Sequence, residues 1–249
     1  MSRIILFILL ICIGNVFAQD KLNIPILTYH DFHPSKSGSM TINTEKLTAQ
    51  LEWLKQHGYT FITLREAVDY LEGKRASLPP KPVVVTADDG RVTVYRYLLP
   101  IVEKYHVPVT LFIYPSCISR TSYALTWEQL KALEKTGLFD IQSHTYWHPN
   151  FDQERKHLSA HAYQTLVHDQ LIDSKKTLEK KLGIKITLLA WPYGVYNHYL
   201  EEAAAKAGYE MAFSVDDRSA NQHESKMAMP RFVILNKYSM KTFIHFVNS

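Results

Sequence analysis

The chain has 249 residues, 46% of them hydrophobic, and carries a formal net charge of +4 at pH 7. This length and apolar content suffice for one domain with a sizeable core, and single α/β barrels of about this length are common. Positive and negative residues are interspersed, and no basic run could follow a phosphate backbone, so the composition argues against nucleic-acid binding.

The N-terminus has the pattern of an export signal. Arg3 supplies a positive charge, residues 4–13 are an unbroken apolar stretch, and Val16-Phe17-Ala18 has the expected cleavage spacing. The apolar stretch is too short to span a bilayer, which takes about twenty residues. We therefore expect a signal peptide at 1–18, a mature domain at 19–249 without a transmembrane span, and a periplasmic or secreted protein. An uncleaved anchor is the alternative.

The cysteine count excludes an internal disulfide in the predicted mature chain. Cys12 lies inside the predicted signal peptide, so Cys117 is left without a partner. A lone thiol in an exported protein is most often a small buried apolar residue, and we expect no catalytic role for Cys117.

Apolar runs with strand character alternate with longer amphipathic stretches along the rest of the chain. The predicted strands cover 24–29, 83–86, 109–114, 139–143, 186–191, 211–215 and 232–235, with a short extra one at 59–62. The predicted helices cover 44–56, 64–71, 94–105, 127–135, 159–182, 198–207 and 240–247. About seven β-then-α units indicate parallel strands with crossover helices. An open doubly wound sheet and a closed barrel both fit.

Polar residues at the ends of the predicted strands favour a distorted (β/α) barrel with a single active-site face. His30 follows the first run, Asp88-Asp89-Gly90 the second, His144 the fourth and Pro192-Tyr193-Gly194 the fifth, and Arg231 precedes the last. In parallel α/β folds the C-terminal ends of the strands converge on one face, where active sites lie. These residues could therefore share one cavity.

Two imidazoles and a carboxylate form a candidate metal site. His144 and His148 lie four positions apart after an apolar run, and the acidic pair Asp88-Asp89 ends an earlier one. Such a ligand set leaves a divalent metal with open positions for water and substrate, as hydrolytic sites require. His157 and His161 have the same spacing but no acidic strand-end partner, which is typical of a solvated helix face.

Four motifs together resemble the polysaccharide deacetylases of carbohydrate esterase family 4, also called the NodB homology domain. Thr86-Ala87-Asp88-Asp89-Gly90 resembles the family's T-F-D-D-G, and His144-Thr145-Tyr146-Trp147-His148-Pro149 matches H-[ST]-x-x-H-P. Trp191-Pro192-Tyr193-Gly194 resembles P-P-Y-G. Leu27-Thr28-Tyr29-His30 resembles the Y-H of the exported branch that acts on poly-β-1,6-N-acetylglucosamine.

The sequence departs from the family pattern at three places. Ala87 replaces the usual phenylalanine, which changes packing more than chemistry. Ala190 stands where many members carry an arginine that orients the base aspartate, and Arg231 is our candidate for that task. The late Leu-x-His that supplies an acid in many members is not evident. In the exported branch an N-terminal histidine takes that part, which indicates His30.

The resemblance implies the roles of the remaining candidates. Asp89, His144 and His148 hold the metal, Asp88 is the general base, and the backbone N–H of Tyr193 helps to stabilise the oxyanion. The spacing alone does not decide which aspartate is the ligand. The ligand set suits zinc, with cobalt, nickel and iron(II) as alternatives. The expected partner is an N-acetylated glycan, and the expected reaction releases acetate from its N-acetylglucosamine residues.

Several alternatives stay open at this point. The same chemistry could act on peptidoglycan, chitin oligomers or an O-acetyl ester, or the chain could be a carbohydrate-binding protein that lost turnover. His30 could be a structural histidine, Arg231 an ordinary ion-pair partner and Asp216-Asp217 a loop turn. Among the aromatic residues near the expected rim, Trp147 and Tyr193 are the favoured sugar contacts.

Overall fold

The computed structural model describes residues 22–36 and 38–249. The predicted signal peptide, with Cys12, lies outside these residues, so the signal peptide and the domain boundary at residue 19 stay predictions. Within the described residues, no helix combines the length and apolarity needed to cross a bilayer. Cys117 is buried and unbridged, and burial raises the pKa of its thiol to about 11.

The helices alternate with the strands along most of the chain. The strands are β1 (Ile26–Tyr29), β2 (Asp31–His33), β3 (Thr41–Asn43), β4 (Thr60–Phe61), β5 (Pro82–Asp88), β6 (Val109–Ile113), β7 (Phe139–Ser143), β8 (Leu188–Ala190), β9 (Met211–Phe213) and β10 (Phe232–Val233). The α-helices are α1 (Thr44–Gln56), α2 (Leu64–Leu71), α3 (Leu99–Tyr105), α4 (Trp127–Lys135), α5 (Phe151–His157), α6 (Ala160–Leu182), α7 (His198–Lys206) and α8 (Met240–Val247).

The main sheet is parallel and curls into a distorted (β/α) barrel, which confirms the predicted fold. Its strand order is β10-β1-β5-β6-β7-β8-β9, and β4 pairs with the start of β5. One C-terminal segment contacts both β9, at one end of this strand order, and β1, beside the other end. Met229 forms a parallel bridge with Phe213 of β9, and the following β10 pairs with β1.

Successive side chains of the central strand β5 point alternately into two separate apolar cores. Val83 and Val85 of β5 belong to a large cluster that also contains residues of most helices. Val84 packs instead with Phe112, Phe213 and other strand residues and with five residues of α2, so this second cluster lies on the inner face of the sheet. Because successive side chains of a strand point to opposite faces, the even-numbered positions of β5 point inward.

Several local features differ from the sequence-based prediction. The predicted helix over 94–105 begins with a π-helical turn at Val94–Leu98, ahead of Pro100 in the first turn of α3. Helix α5 and the β2–β3 pair were not predicted, because both are short. We placed His157 and His161 on one polar helix, and this is wrong. His157 ends α5, while His161 belongs to α6, which Ser159 caps.

Candidate active site

A cleft of about 450 Å³ opens where the C-terminal ends of the parallel strands meet. Its walls include six of the seven predicted site residues, namely His30, Asp88, Asp89, His144, His148 and Tyr193. The seventh, Arg231, is buried behind Asp88 and hydrogen-bonds to it. The fold therefore brings all seven residues together, although they come from positions 30 to 231 of the chain.

Asp89, His144 and His148 form a compact set of potential metal ligands. One ligand atom from each side chain lies within 4.8 Å of the other two. Asp89 Oδ1 is 3.8 Å from His144 Nε2 and 3.7 Å from His148 Nε2. Ligand atoms bound at about 2.0–2.2 Å from one tetrahedral metal are separated by roughly this much. The set therefore has the dimensions of a three-ligand metal site.

The hydrogen bond to the other nitrogen of His144 fixes the orientation of its ring. His144 Nδ1 lies 2.8 Å from the carbonyl oxygen of Ala190, so Nδ1–H donates to this oxygen and Nε2 is the ring nitrogen that could bind a metal. Metal-bound histidines almost always have such a partner at the second nitrogen. Burial, followed by the neighbouring His144, lowers the pKa of His148 to about 4, and Asp89 opposes this shift. His148 is thus neutral near pH 7, as a ligand must be.

The backbone at the site adopts conformations that L-residues rarely adopt. Asp89, His148 and Tyr193 have φ values of 76°, 67° and 57°. Gly90 follows with φ 70°, and a Cβ there would lie 2.9 Å from Ile113 Cδ1. Three non-glycine residues in a sparsely populated region at one cleft indicate strain held by the surrounding fold. This local turn directs Asp89 toward the histidines.

Asp88 and Arg231 form a buried ion pair with two hydrogen bonds. Arg231 Nη1 donates to Asp88 Oδ1 at 3.0 Å, and Nη2 donates to Oδ2 at 2.8 Å. The two residues are 2% and 0% exposed. Arg231 also donates to Thr86 Oγ1 and to the carbonyl oxygen of Ser214. Burial alone would raise the pKa of Asp88, but the charge of Arg231 and, after it, His144 lower it to about 2.

His30 lies at the wall of the cleft with an unpartnered ring nitrogen. Its Nδ1 is buried, and no hydrogen-bond partner for it occurs in the described part of the chain. Burial lowers the pKa of His30, while the charges of Asp88 and Asp89 act in the opposite direction. A buried polar atom without a partner costs free energy, which calls for an explanation at this position. A reacting group that occupies the cleft would supply one.

The aromatic residues near the cleft differ in their positions. Tyr193 lines it, is 62% exposed, and places its ring centroid 4.6 Å from that of His148. Trp147 is 42% exposed but does not line the cleft. Trp191 also lines the cleft but is fully buried, with Nε1 donating to the carbonyl oxygen of Met227. Tyr193 is therefore the aromatic side chain best exposed to a ligand there.

Asp216 and Asp217 do not line the cleft. Asp216 Oδ2 accepts hydrogen bonds from Tyr196 and Ser214, as a loop residue that stabilises its own turn would. Arg91, which was not among the predicted site residues, also lines the cleft and has Nε 3.8 Å from Asp89 Oδ2. Its place directly after Asp88-Asp89-Gly90 was the available signal.

Comparison with known proteins gives one consistent result. Residues 75–212 match the family model described as polysaccharide deacetylase. The chain is 28% identical over 231 residues to a poly-β-1,6-N-acetyl-D-glucosamine N-deacetylase of Staphylococcus epidermidis, covering 89% of this chain and 77% of that protein. It is 27% identical over 198 residues to a protein of the same name from Staphylococcus aureus, covering 78% and 68%.

Two solved structures that share this fold are each 26% identical in sequence to this chain. The deacetylase PplD of Streptococcus pyogenes, in complex with acetate, superposes with a TM-score of 0.79 at 26% identity, covering 91% of this chain and 99% of that one. IcaB from Ammonifex degensii superposes with a TM-score of 0.78 at 26% identity, covering 91% and 96%.

Proposed function

The chain belongs to the polysaccharide deacetylase family, and on that premise we propose that it removes N-acetyl groups from extracytoplasmic poly-β-1,6-N-acetylglucosamine. The observation that carries the proposal is the ligand set Asp89, His144 and His148 beside the buried pair Asp88–Arg231. The names of the staphylococcal relatives support the substrate class. The pattern of residues 1–18 supports export.

Asp89, His144 and His148 would hold a divalent cation, and zinc is our first choice for two imidazoles and one carboxylate. The fit rests on the compact set of donor atoms and on the Nδ1 hydrogen bond of His144. When bound, such a cation polarises a carbonyl oxygen and lowers the pKa of water. Cobalt, nickel or iron(II) would satisfy the same ligands.

Asp88 is the general base in this proposal. Its lowered pKa keeps the carboxylate ionised well below neutral pH, so it is in the form that accepts a proton. Arg231 holds both oxygens, yet each carboxylate oxygen has a further acceptor site that points elsewhere. Asp88 can therefore take the proton of the attacking water without leaving Arg231.

The backbone N–H of Tyr193 is the proposed donor to the oxyanion. Neither a backbone nor a side-chain acceptor for this N–H is found within residues 22–36 and 38–249. The 3-10 turn Pro192–Gly194 and the positive φ of Tyr193 fix the direction of the group. A donor that is already oriented stabilises the developing charge without reorganisation.

His30 is the proposed general acid, which protonates the departing amine nitrogen. It lines the cleft with Asp88 and Asp89; burial lowers its pKa, and the charges of these two carboxylates oppose that shift and favour the imidazolium that must form. General acids and bases each contribute about 10²–10⁴-fold to the rate. The products are acetate and a glucosamine residue with a cationic amine.

The test is acetate release from defined β-1,6- and β-1,4-linked N-acetylglucosamine oligomers, before and after chelation and after addition of zinc. We expect release from the β-1,6 series, loss of release on chelation and recovery with zinc. Activity that is insensitive to chelators would contradict the metal mechanism. Saturable binding of oligomers without acetate release under any added metal would show a carbohydrate-binding protein instead.

A further inference from the structure

The acidic side chains of the cleft are already engaged. Asp88 accepts two hydrogen bonds from Arg231, and Asp89 directs Oδ1 to the two histidines. Among the described residues that line the cleft, no other is acidic. A cationic sugar that enters the cleft would therefore find no free carboxylate to pair with.

Arg91 places a permanent positive charge in the wall of the same cleft. Its Cζ lies 5.0 Å from the ring centroid of Tyr123, and the Tyr123 side chain is 42% exposed. Its Nε, 3.8 Å from Asp89 Oδ2, is beyond hydrogen-bond distance and has no hydrogen-bond partner in the described part of the chain. Stacking on an aromatic ring orients a guanidinium without neutralising it.

Exposed apolar side chains at and beside the cleft form a surface on which the sugars next to the reacting one could lie. Met40 and Tyr193 line the cleft, and Tyr123 lies beneath Arg91. All three are among the few large hydrophobic residues exposed in the described structure. Such surfaces suit the apolar faces of sugar rings. A neighbouring sugar that contacted the exposed Tyr123 would lie close to the Arg91 guanidinium, whose Cζ is 5.0 Å from the centroid of that ring.

We propose that Arg91 makes the sugar position beside the reacting one selective for neutral N-acetylglucosamine over cationic glucosamine. This inference rests on the proposed function, because glucosamine is the product of that reaction. Like charges at about 7–8 Å, with an effective dielectric constant of 20–80, disfavour binding by about threefold to thirtyfold. The enzyme therefore acts away from sugars it has already deacetylated, and glucosamine residues become dispersed along the polymer.

A different role for Arg91, the positioning of Asp89, makes a different prediction. If Arg91 acted only through Asp89, its removal would change the rate for all substrates by the same factor. Selection by charge changes the ratio between substrates. The ratio of kcat/KM values for two substrates is thus the informative measurement.

The experiment compares three β-1,6-linked oligomers of equal length in which the sugar next to a terminal N-acetylglucosamine is N-acetylglucosamine, glucosamine or glucose. Glucose lacks the acetamide and also lacks the charge, so it separates lost contacts from repulsion. Acetate release from the terminal sugar is mapped by mass spectrometry, in both chain orientations. For the wild type, in at least one orientation, we expect glucosamine to be disfavoured about tenfold relative to glucose.

Arg91→Gln should reduce this glucosamine penalty to less than about threefold, and Arg91→Lys should retain most of it. Arg120→Gln is the matched control, because Arg120 is exposed nearby in sequence and does not line the cleft. Its penalty should equal that of the wild type. Raising the salt concentration or deprotonating the amine at higher pH should also weaken the wild-type penalty.

An equal rate for glucosamine and glucose oligomers in the wild type, in both orientations, would overturn the inference. An unchanged penalty in folded Arg91→Gln would do the same. If the wild type releases no acetate from any oligomer, this result contradicts the proposed function and leaves the charge preference to be tested by binding. Calorimetric binding of the same oligomers to the chelator-treated wild type and Arg91→Gln then tests the charge preference without turnover.

Discussion

The guanidinium of Arg231 donates two hydrogen bonds, of 3.0 and 2.8 Å, to the carboxylate of Asp88, although the two residues lie 143 positions apart in the chain. Arg231 reaches Asp88 from within the barrel, with Phe112 beneath its guanidinium. Many family members place an orienting arginine where this chain has Ala190. In this chain Arg231, which lies directly before β10, makes the contact with the aspartate instead.

Arg231→Met should remove the charge that holds the pKa of Asp88 low. Burial, which by itself raises this pKa, then dominates, so the acid limb of the activity profile should move to higher pH. Breaking a buried ion pair costs about 3–5 kcal/mol of stability, which urea unfolding measures. Arg231→Lys, which keeps the charge, should restore part of the pH profile. An unchanged acid limb in folded Arg231→Met would argue against this coupling.

Substitution of the two adjacent aspartates should have different effects on metal content. Asp89→Asn should lose the metal, because Oδ1 of Asp89 faces both histidines. Asp88→Asn should keep the metal and lose about 10²–10⁴-fold in kcat. Metal analysis of protein purified without a histidine tag, combined with kinetics, measures both. The reverse pattern would exchange the proposed roles.

His148→Gln should weaken metal binding by at least about tenfold, because it removes a proposed metal ligand. Even the loss of a residue that only hydrogen-bonds to a ligand typically lowers metal affinity by about 10–100-fold. Competition with a chromogenic chelator measures the affinity. His161→Gln is the matched control, because His161 is an exposed residue of α6 and belongs to no ligand cluster found in the described structure. Equal losses in both variants would contradict the assignment.

His30→Gln should lower kcat by about 10²–10⁴-fold and leave the metal content unchanged. Burial lowers the pKa of His30 below its ordinary value, so the wild-type rate should fall as the pH rises through this lowered pKa, and this limb should be absent in the variant. A pH–rate profile of both proteins at saturating metal provides the measurement. If His30→Gln kept most of the activity, His30 would be a structural residue.

The stability of the metal-free protein should depend on Asp88 in acid. The folded pKa of Asp88 is about 2, below the ordinary aspartate value of 3.8. A lowered folded pKa contributes stability that is present above about pH 4 and is lost as the pH falls through about 2. The difference corresponds to about 2 kcal/mol. Urea unfolding between pH 2 and 6 should show this loss in the wild type, and Asp88→Asn should lack it.

The alternation of apolar runs and amphipathic stretches was sufficient to predict the parallel strands, but it fitted an open sheet as well as a barrel. Helix α1 begins and ends where the pattern predicted, and so does α4 at Trp127–Lys135. The short elements were missed because a three-residue strand such as β2 has too few positions to show a period. Polar residues at strand ends indicated a common face, since parallel strands place those ends together.

The amino-acid sequence alone determined which candidate site residues this protein has and which strand ends they follow, because both can be seen in local stretches of sequence. Only the tertiary structure decided how Asp88 and Asp89 differ. Asp88, at the end of β5, points inward and pairs with Arg231. The positive φ of Asp89 directs its side chain toward His144 and His148 instead. Contacts across more than a hundred residues depend on strand register and barrel closure, which no local pattern encodes.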